Sequence, residues 1–319
     1  MKIYNKNVLI TGGAGFIGSH LAKRLMDLGY QVIIVDNFNS YYDPQLKEER
    51  ISKLLSGYDF KLYRTDIRDL ESLRKVFLEH QIDMVCHLAA QAGVRYSLKN
   101  PFIYEETNVK GTLNLLDLAK EFKVEGFIFA SSSSVYGGSK KIPFSESDPI
   151  FEPISLYAAT KKAAEALVFT YHHLYKIPST ILRYFSVYGP FWRPDLALCK
   201  FVRAILNDET IEVYNFGKMK RDFTYIDDIV AGTISALEKN YPFEIFNLGN
   251  NHPIELNYFI ESIEKLLGEK AKKILMPMQP GEVPVNWADI SKAQKLLDYH
   301  PRVTIEEGLK KTIDWFKNQ

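Results

Sequence analysis

Thr11-Gly12-Gly13-Ala14-Gly15-Phe16-Ile17-Gly18 follows an apolar run over residues 6–11 and precedes a helical pattern over 19–28; a second apolar run over 31–36 ends in Asp36. This order commits the chain to begin as a strand–turn–helix–strand unit. Gly12, Gly15 and Gly18 permit the tight turn, let backbone approach a pyrophosphate and bring the helix close to the strand. The pyrophosphate is expected against the orphan N–H groups of the helix that begins near Gly15, with Phe16 and Ile17 in its first turn. Asp36, about 20 residues beyond the turn, can accept hydrogen bonds from an adenosine ribose and would repel a 2′-phosphate. NAD is therefore the expected cofactor, rather than NADP.

Further apolar runs at 60–65, 84–89, 126–130 and 179–183 alternate with helical patterns. Such alternation predicts right-handed crossovers around a parallel sheet. The fold class expected is α/β: a Rossmann-type, mainly parallel sheet with helices on both faces and a smaller carboxy-terminal substrate-binding lobe. Residues 1–185 read as the NAD-binding domain, with 227–248 returning to it, and 186–319 mainly as the substrate lobe. Helices are expected at 195–206, 227–238, 255–267 and 305–316, and one helical face runs through 102–122. A ligand is expected between the lobes, at the carboxyl ends of the strands.

The chain has 319 residues, 46% of them apolar, enough for a substantial core. Its 40 basic and 39 acidic side chains nearly cancel, so no nucleic-acid or membrane partner is expected from overall charge. Cys86 and Cys199 are too few for a disulfide framework or a metal cluster. No metal site is expected. The first six residues do not read as a signal peptide and no apolar span reaches membrane length, so a cytoplasmic setting is expected.

Tyr157 and Lys161 stand four residues apart, hence on one helix face. An ammonium beside the phenol, together with a nicotinamide cation, is expected to lower the Tyr157 pKa and make it a base for a substrate hydroxyl. The run Ser131-Ser132-Ser133-Ser134 begins where the fifth strand should end. Its hydroxyls can meet a bound alcohol without adding charge.

These motifs, with Asp36-Asn37-Phe38-Asn39-Ser40, His87-Leu88-Ala89-Ala90-Gln91-Ala92-Gly93-Val94-Arg95, Asn108-Val109-Lys110-Gly111-Thr112 and Arg221-Asp222-Phe223-Thr224-Tyr225, fall in one order along nearly the whole chain. In that order the chain resembles the extended short-chain dehydrogenase/reductase superfamily, specifically its nucleotide-sugar epimerases. The resemblance implies Ser132 as the catalytic hydroxyl, Tyr157 as the base, and Lys161 as the residue that tunes it and touches the nicotinamide ribose. It implies cofactor contacts from Asp36, Asn37, Asn39, Ser40, Asp66, Ile67, Leu88, Ala89, Ala90, Gln91 and Asn108. Arg95 and Arg221 match positions that hold the nucleotide diphosphate, and Glu282 a ribose contact. A homodimer through the helices near 105–120 and 156 onward is also implied.

The segment Tyr184-Phe185-Ser186-Val187-Tyr188-Gly189-Pro190-Phe191-Trp192-Arg193 looks like that of UDP-glucuronate 4-epimerases, whose hydroxyl and arginine hold the sugar carboxylate. By position these are Ser186 and Arg193, with Ser133 and Ser134 as neutral donors beside them. The 4,6-dehydratases of the superfamily carry an Asp-Glu pair where this chain has Ser133 and Ser134, so the elimination acids are missing. The implied reaction is reversible C4 epimerisation of UDP-glucuronate to UDP-galacturonate through a transient 4-keto sugar. The alternatives are a UDP-glucose or UDP-N-acetylglucosamine 4-epimerase, a UDP-glucuronate decarboxylase, and a non-catalytic nucleotide-binding regulator. Phe191-Trp192 departs from the smaller pair usual in the family and is expected to line the lobe interface or narrow the sugar pocket.

Overall fold

The structure is a computed structural model that describes residues 6–279 and 281–318. Residues 1–5, most of the stretch read for a leader, lie outside the described residues. In chain order the strands are β1 (Asn7–Thr11), β2 (Gln31–Val35), β3 (Lys61–Tyr63), β4 (Met84–His87), β5 (Gly126–Ser132), β6 (Ser179–Tyr184), β7 (Ser186–Tyr188), β8 (Thr210–Tyr214), β9 (Lys220–Tyr225), β10 (Phe243–Leu248), β11 (Pro253–Glu255) and β12 (Lys272–Met276). The helices are α1 (Phe16–Asp27), α2 (Gln45–Glu49), α3 (Leu70–Glu79), α4 (Val94–Lys99), α5 (Pro101–Tyr104), α6 (Gly111–Glu121), α7 (Leu156–Tyr175), α8 (Ala197–Leu206), α9 (Ile226–Lys239), α10 (Leu256–Leu267), α11 (Ser291–Leu297) and α12 (Ile305–Lys317).

Val8 and Ile10 of β1 join one apolar core and Leu9 between them joins another; all three are fully buried. That alternation requires helices on both sides of the sheet. The first core takes Leu21 and Leu25 of α1 and Ile229 and Ala236 of α9; the second takes Leu73 of α3, Leu115 of α6 and Val168 of α7. The sheet has seven strands in the order β10-β6-β5-β4-β1-β2-β3, each pairing parallel. The fold is thus a Rossmann-type α/β sheet.

After β6 the chain leaves this sheet, then returns with α9 packed on α1 and β10 paired along β6. It returns again with α11, which packs on α9 and β10. The remaining strands form two small sheets, β11-β9-β7 and β12-β8, with α8 and α10 packed against each other beside them. The helical face expected over 102–122 is broken into α5, a π-helical turn at Glu105–Lys110, and α6. The wider turn carries buried Asn108, whose hydrogen bonds reach two other segments.

Candidate active site

Gly12 takes φ +71°, and a Cβ there would lie 2.8 Å from the Ala89 nitrogen; a Cβ on Gly18 would lie 2.2 Å from the Gly12 carbonyl oxygen. Only glycine lets the turn pass β4 and lets α1 start against it. No side chain caps α1 at Gly15, so its first N–H groups face a cleft of about 1240 Å³ along the carboxyl ends of the strands. Gly12, Gly15, Phe16, Ile17, Gly18, Asp36, Asn37, Asn39, Ile67, Leu88, Ala89, Ala90 and Gln91 line one part of it. Ser132, Tyr157 and Lys161 line its middle, and Arg95, Ser186, Arg193, Arg221 and Glu282 the remainder.

Five of the expected residues do not line this cleft. Asn108 is buried; it accepts from the Gln91 N–H at 2.8 Å and donates to the Gln91 carbonyl at 3.0 Å and the Thr160 hydroxyl at 3.1 Å. It therefore clamps the loop after β4 to α7. Asp66 accepts from Arg68 and from the Asn37 amide at 2.8 Å; burial opposes its ionisation, but Arg68 and Asn37 hold its pKa below the usual value. Ser40 is exposed. Ser133 turns inward and accepts from the Asn286 amide at 2.9 Å, while Ser134 accepts at 3.1 Å from the Ser132 hydroxyl. These partners point Ser133 and Ser134 at protein, and leave Ser132 as the hydroxyl of the run that meets both cleft and phenol.

α7 begins with a Ser155 cap that accepts from the Ala158 N–H at 3.1 Å, which fixes Tyr157 in its first turn. Lys161, one turn on, is 3% exposed and donates to the Ala130 carbonyl at 2.8 Å. Burial pushes its pKa down to about 7, with Glu165 pulling the other way. The downward shift expected for Tyr157 is not what the protein's own groups produce. Burial raises it, and the groups that oppose burial are the Ser132 hydroxyl and Arg193. The reason is geometric: the Lys161 ammonium is directed at a strand carbonyl, so the phenol's loss of water dominates.

Asp36 accepts two bonds on Oδ1, from the Lys47 ammonium at 2.7 Å and the Phe38 N–H at 2.9 Å; neither uses its second oxygen. Arg193 makes a two-pronged pair with Asp195 at 2.9 and 2.6 Å, and Tyr41 donates to the same carboxylate at 3.3 Å. Arg221 donates to Glu282 at 2.8 Å and to the Val283 carbonyl at 2.8 Å; Arg95 lies 3.8 Å from the other oxygen of Glu282 and over the Tyr214 ring. Trp192 lines the cleft and packs on Trp315 and Phe316 of α12, whereas Phe191 packs on Trp315 and His20. The bulky pair therefore serves the junction with α12, with one edge of Trp192 on the pocket.

Lys47, Tyr41, Asp195 and Tyr214 are cleft residues that sequence reasoning did not single out. Asp195 had a signal, standing two residues after Arg193. Lys47 had none, since only the turn after β2 brings it back to Asp36.

This chain matches the GDP-mannose 4,6 dehydratase family model over residues 9–312. It is 47% identical over 310 residues to a UDP-glucuronate 4-epimerase of Thermodesulfobacterium geofontis, covering 97% of this chain and 95% of that one. The structure matches a crystal structure of UDP-glucuronic acid 4-epimerase from Bacillus cereus in complex with UDP-glucuronic acid and NAD, with a TM-score of 0.90, 39% identity and coverage of 98% and 99%. A UDP-glucose 4-epimerase of Thermotoga maritima with UDP-glucose also matches, with a TM-score of 0.90 at 33% identity over 98% and 99% of the chains.

Proposed function

The chain belongs to the GDP-mannose 4,6-dehydratase family of nucleotide-sugar enzymes, and from that premise we propose that it interconverts UDP-glucuronate and UDP-galacturonate by C4 epimerisation with NAD. The observation that carries this reading is one cleft holding a glycine turn at a helix start, the Ser132–Tyr157–Lys161 group and a forked arginine, Arg193. Bound NAD would supply a reversible hydride acceptor for the C4–H bond of the sugar.

The uncapped start of α1 would hold the pyrophosphate, and the second oxygen of Asp36 the adenosine ribose. Tyr157 takes the O4 proton as the C4 carbonyl forms and gives it back on the reverse step, so proton and redox balance both close to zero. The Ser132 hydroxyl, which donates to Ser134 here, turns its proton to the phenolate oxygen once Tyr157 is deprotonated, and holds the sugar oxygen beside it. Arg221 and Arg95 meet the diphosphate, with Glu282 between them positioned for the uridine ribose. The sugar carboxylate displaces Asp195 from Arg193, exchanging one forked ion pair for another. A held carboxylate keeps its C–C bond out of line with the C4 carbonyl, which suppresses loss of carbon dioxide.

Incubation with UDP-glucuronate, UDP-glucose and UDP-N-acetylglucosamine, with stereoisomers and pentose products resolved, tests this. UDP-galacturonate with little UDP-pentose is expected from the first. Equal or faster turnover of a neutral sugar rejects the carboxylate selectivity. Arg193→Ala should cost UDP-glucuronate about 10²-fold in kcat/KM, by loss of a charge-assisted forked pair, and a neutral sugar far less.

Residues 1–185 with 227–248 serve NAD in this reading, and the rest of the chain mainly the UDP-sugar. A homodimer is supported by apolar side chains exposed on α6 and α7, Leu113 at 39% and Leu174 at 59%; a sedimenting mass of one chain would reject it. A cytoplasmic setting is supported by two buried free cysteines, and secretion of the protein would refute it. Among the described residues no helix is long and apolar enough to cross a membrane.

A further inference from the structure

Arg50 opens the π-helical turn Arg50–Leu54 that follows α2, and its side chain is 1% exposed. Among the described residues no carboxylate pairs with it. Its guanidinium donates to four neutral oxygens: the Ala14 carbonyl at 3.3 Å, the Tyr42 hydroxyl at 2.9 Å, the Phe191 carbonyl at 3.0 Å and the Trp192 carbonyl at 3.0 Å. Ala14 belongs to the glycine turn where the pyrophosphate is expected. Phe191 and Trp192 immediately precede Arg193. One planar fork thus reaches both the dinucleotide turn and the loop that selects the sugar.

The sugar loop needs such a tie. Phe191 sits at φ +56°, in the left-handed region that a bulky residue rarely adopts, and it persists only where its surroundings hold it. Its ring is held by Trp315 and His20, and its carbonyl by Arg50. A buried cation held by neutral acceptors, with no carboxylate paired to it among the described residues, also favours an anion brought nearby. We propose that Arg50 is a positioning residue that couples occupation of the glycine turn by NAD to the shape of the 191–193 loop, and so to the aim of Arg193 at the sugar.

The guanidinium fork is needed, because a lysine has a single nitrogen and cannot span the Ala14 carbonyl and the two loop carbonyls in one plane. The proposal rests on the NAD and UDP-sugar reading above, but its test does not depend on which sugar is turned over. Hydrogen exchange of the 189–197 peptide is measured on the full chain stripped of NAD and after reloading. Wild-type protein should show about tenfold slower exchange of this peptide with NAD, a typical size for coupling between sites. Arg50→Met and Arg50→Lys should each reduce the difference to less than about twofold while still binding NAD. Ile263→Val, a buried change in α10 that also lowers stability, should keep the full difference.

Absence of NAD-dependent protection in the wild-type chain overturns the coupling whether or not either variant folds. Undiminished protection in Arg50→Lys or Arg50→Met also overturns it. Failure of UDP-glucuronate turnover alone would reject the proposed substrate and leave this result standing.

Discussion

Tyr157 is made a weaker acid by burial than a free phenol, and Ser132 and Arg193 are the protein groups that oppose this. A bound nicotinamide cation would add to their side. Tyr157→Phe keeps the ring and removes the proton acceptor, so NAD should remain bound, as its absorbance in the purified protein would show. Turnover should fall about 10²- to 10⁴-fold, and an unchanged rate would reject the base assignment. Lys161 gives a separate test through stability. Unfolded, it keeps its proton to its ordinary 10.5; folded, burial releases the proton near 7. Between these values the unfolded chain binds more protons, so this group's contribution is complete above 10.5 and gone below about 7. Melting temperature relative to Lys161→Met should therefore rise as pH increases from 7 to 9; a flat difference would refute it.

At the scale of elements, α12 shows how a local device far from the chemistry supports the site. Thr304 accepts from the Glu307 N–H at 3.3 Å, and the Glu307 carboxylate accepts from the Thr304 N–H at 3.3 Å, closing a capping box. Thr304→Ala should cost about 1 kcal/mol and lower the melting temperature by about 2 °C, with kcat/KM at 25 °C unchanged. A large loss of activity would mean that α12 moves Trp192. The first strands and α1 were legible because Val8, Leu9 and Ile10 alternate between two cores and the glycines must bend before a helix. Asp36 was legible because its strand ends there. Lys47 and Arg50 were not, since their partners are fixed by how the segment after β2 folds back and, for Arg50, by carbonyls 141 and 142 residues away. Ser133 and Ser134 read from the sequence as further donors to the sugar carboxylate beside a catalytic Ser132, whereas their hydroxyls meet Asn286 and Ser132. Only the turn at Ser133–Tyr136 decides which hydroxyl faces the cleft.

On the scale of the whole molecule, alternation of strand and helix was enough to read the sheet, while the placement of its last strand depended on chain that first builds another lobe. β10 runs beside β6 from the Phe243–Ser179 pair to the Leu248–Tyr184 pair, and α9 covers the same face as α1. The dinucleotide half therefore borrows an edge strand and a covering helix from beyond residue 225. Cutting the gene at residue 185 would not release an autonomous module: it would bare the hydrogen-bonding edge of β6 and strip apolar surface from α1, leaving a fragment prone to stick to itself. Heating the intact protein should for the same reason give one calorimetric endotherm whose van't Hoff and calorimetric enthalpies agree. Two resolved endotherms would mean that the lobes melt independently despite the shared strand.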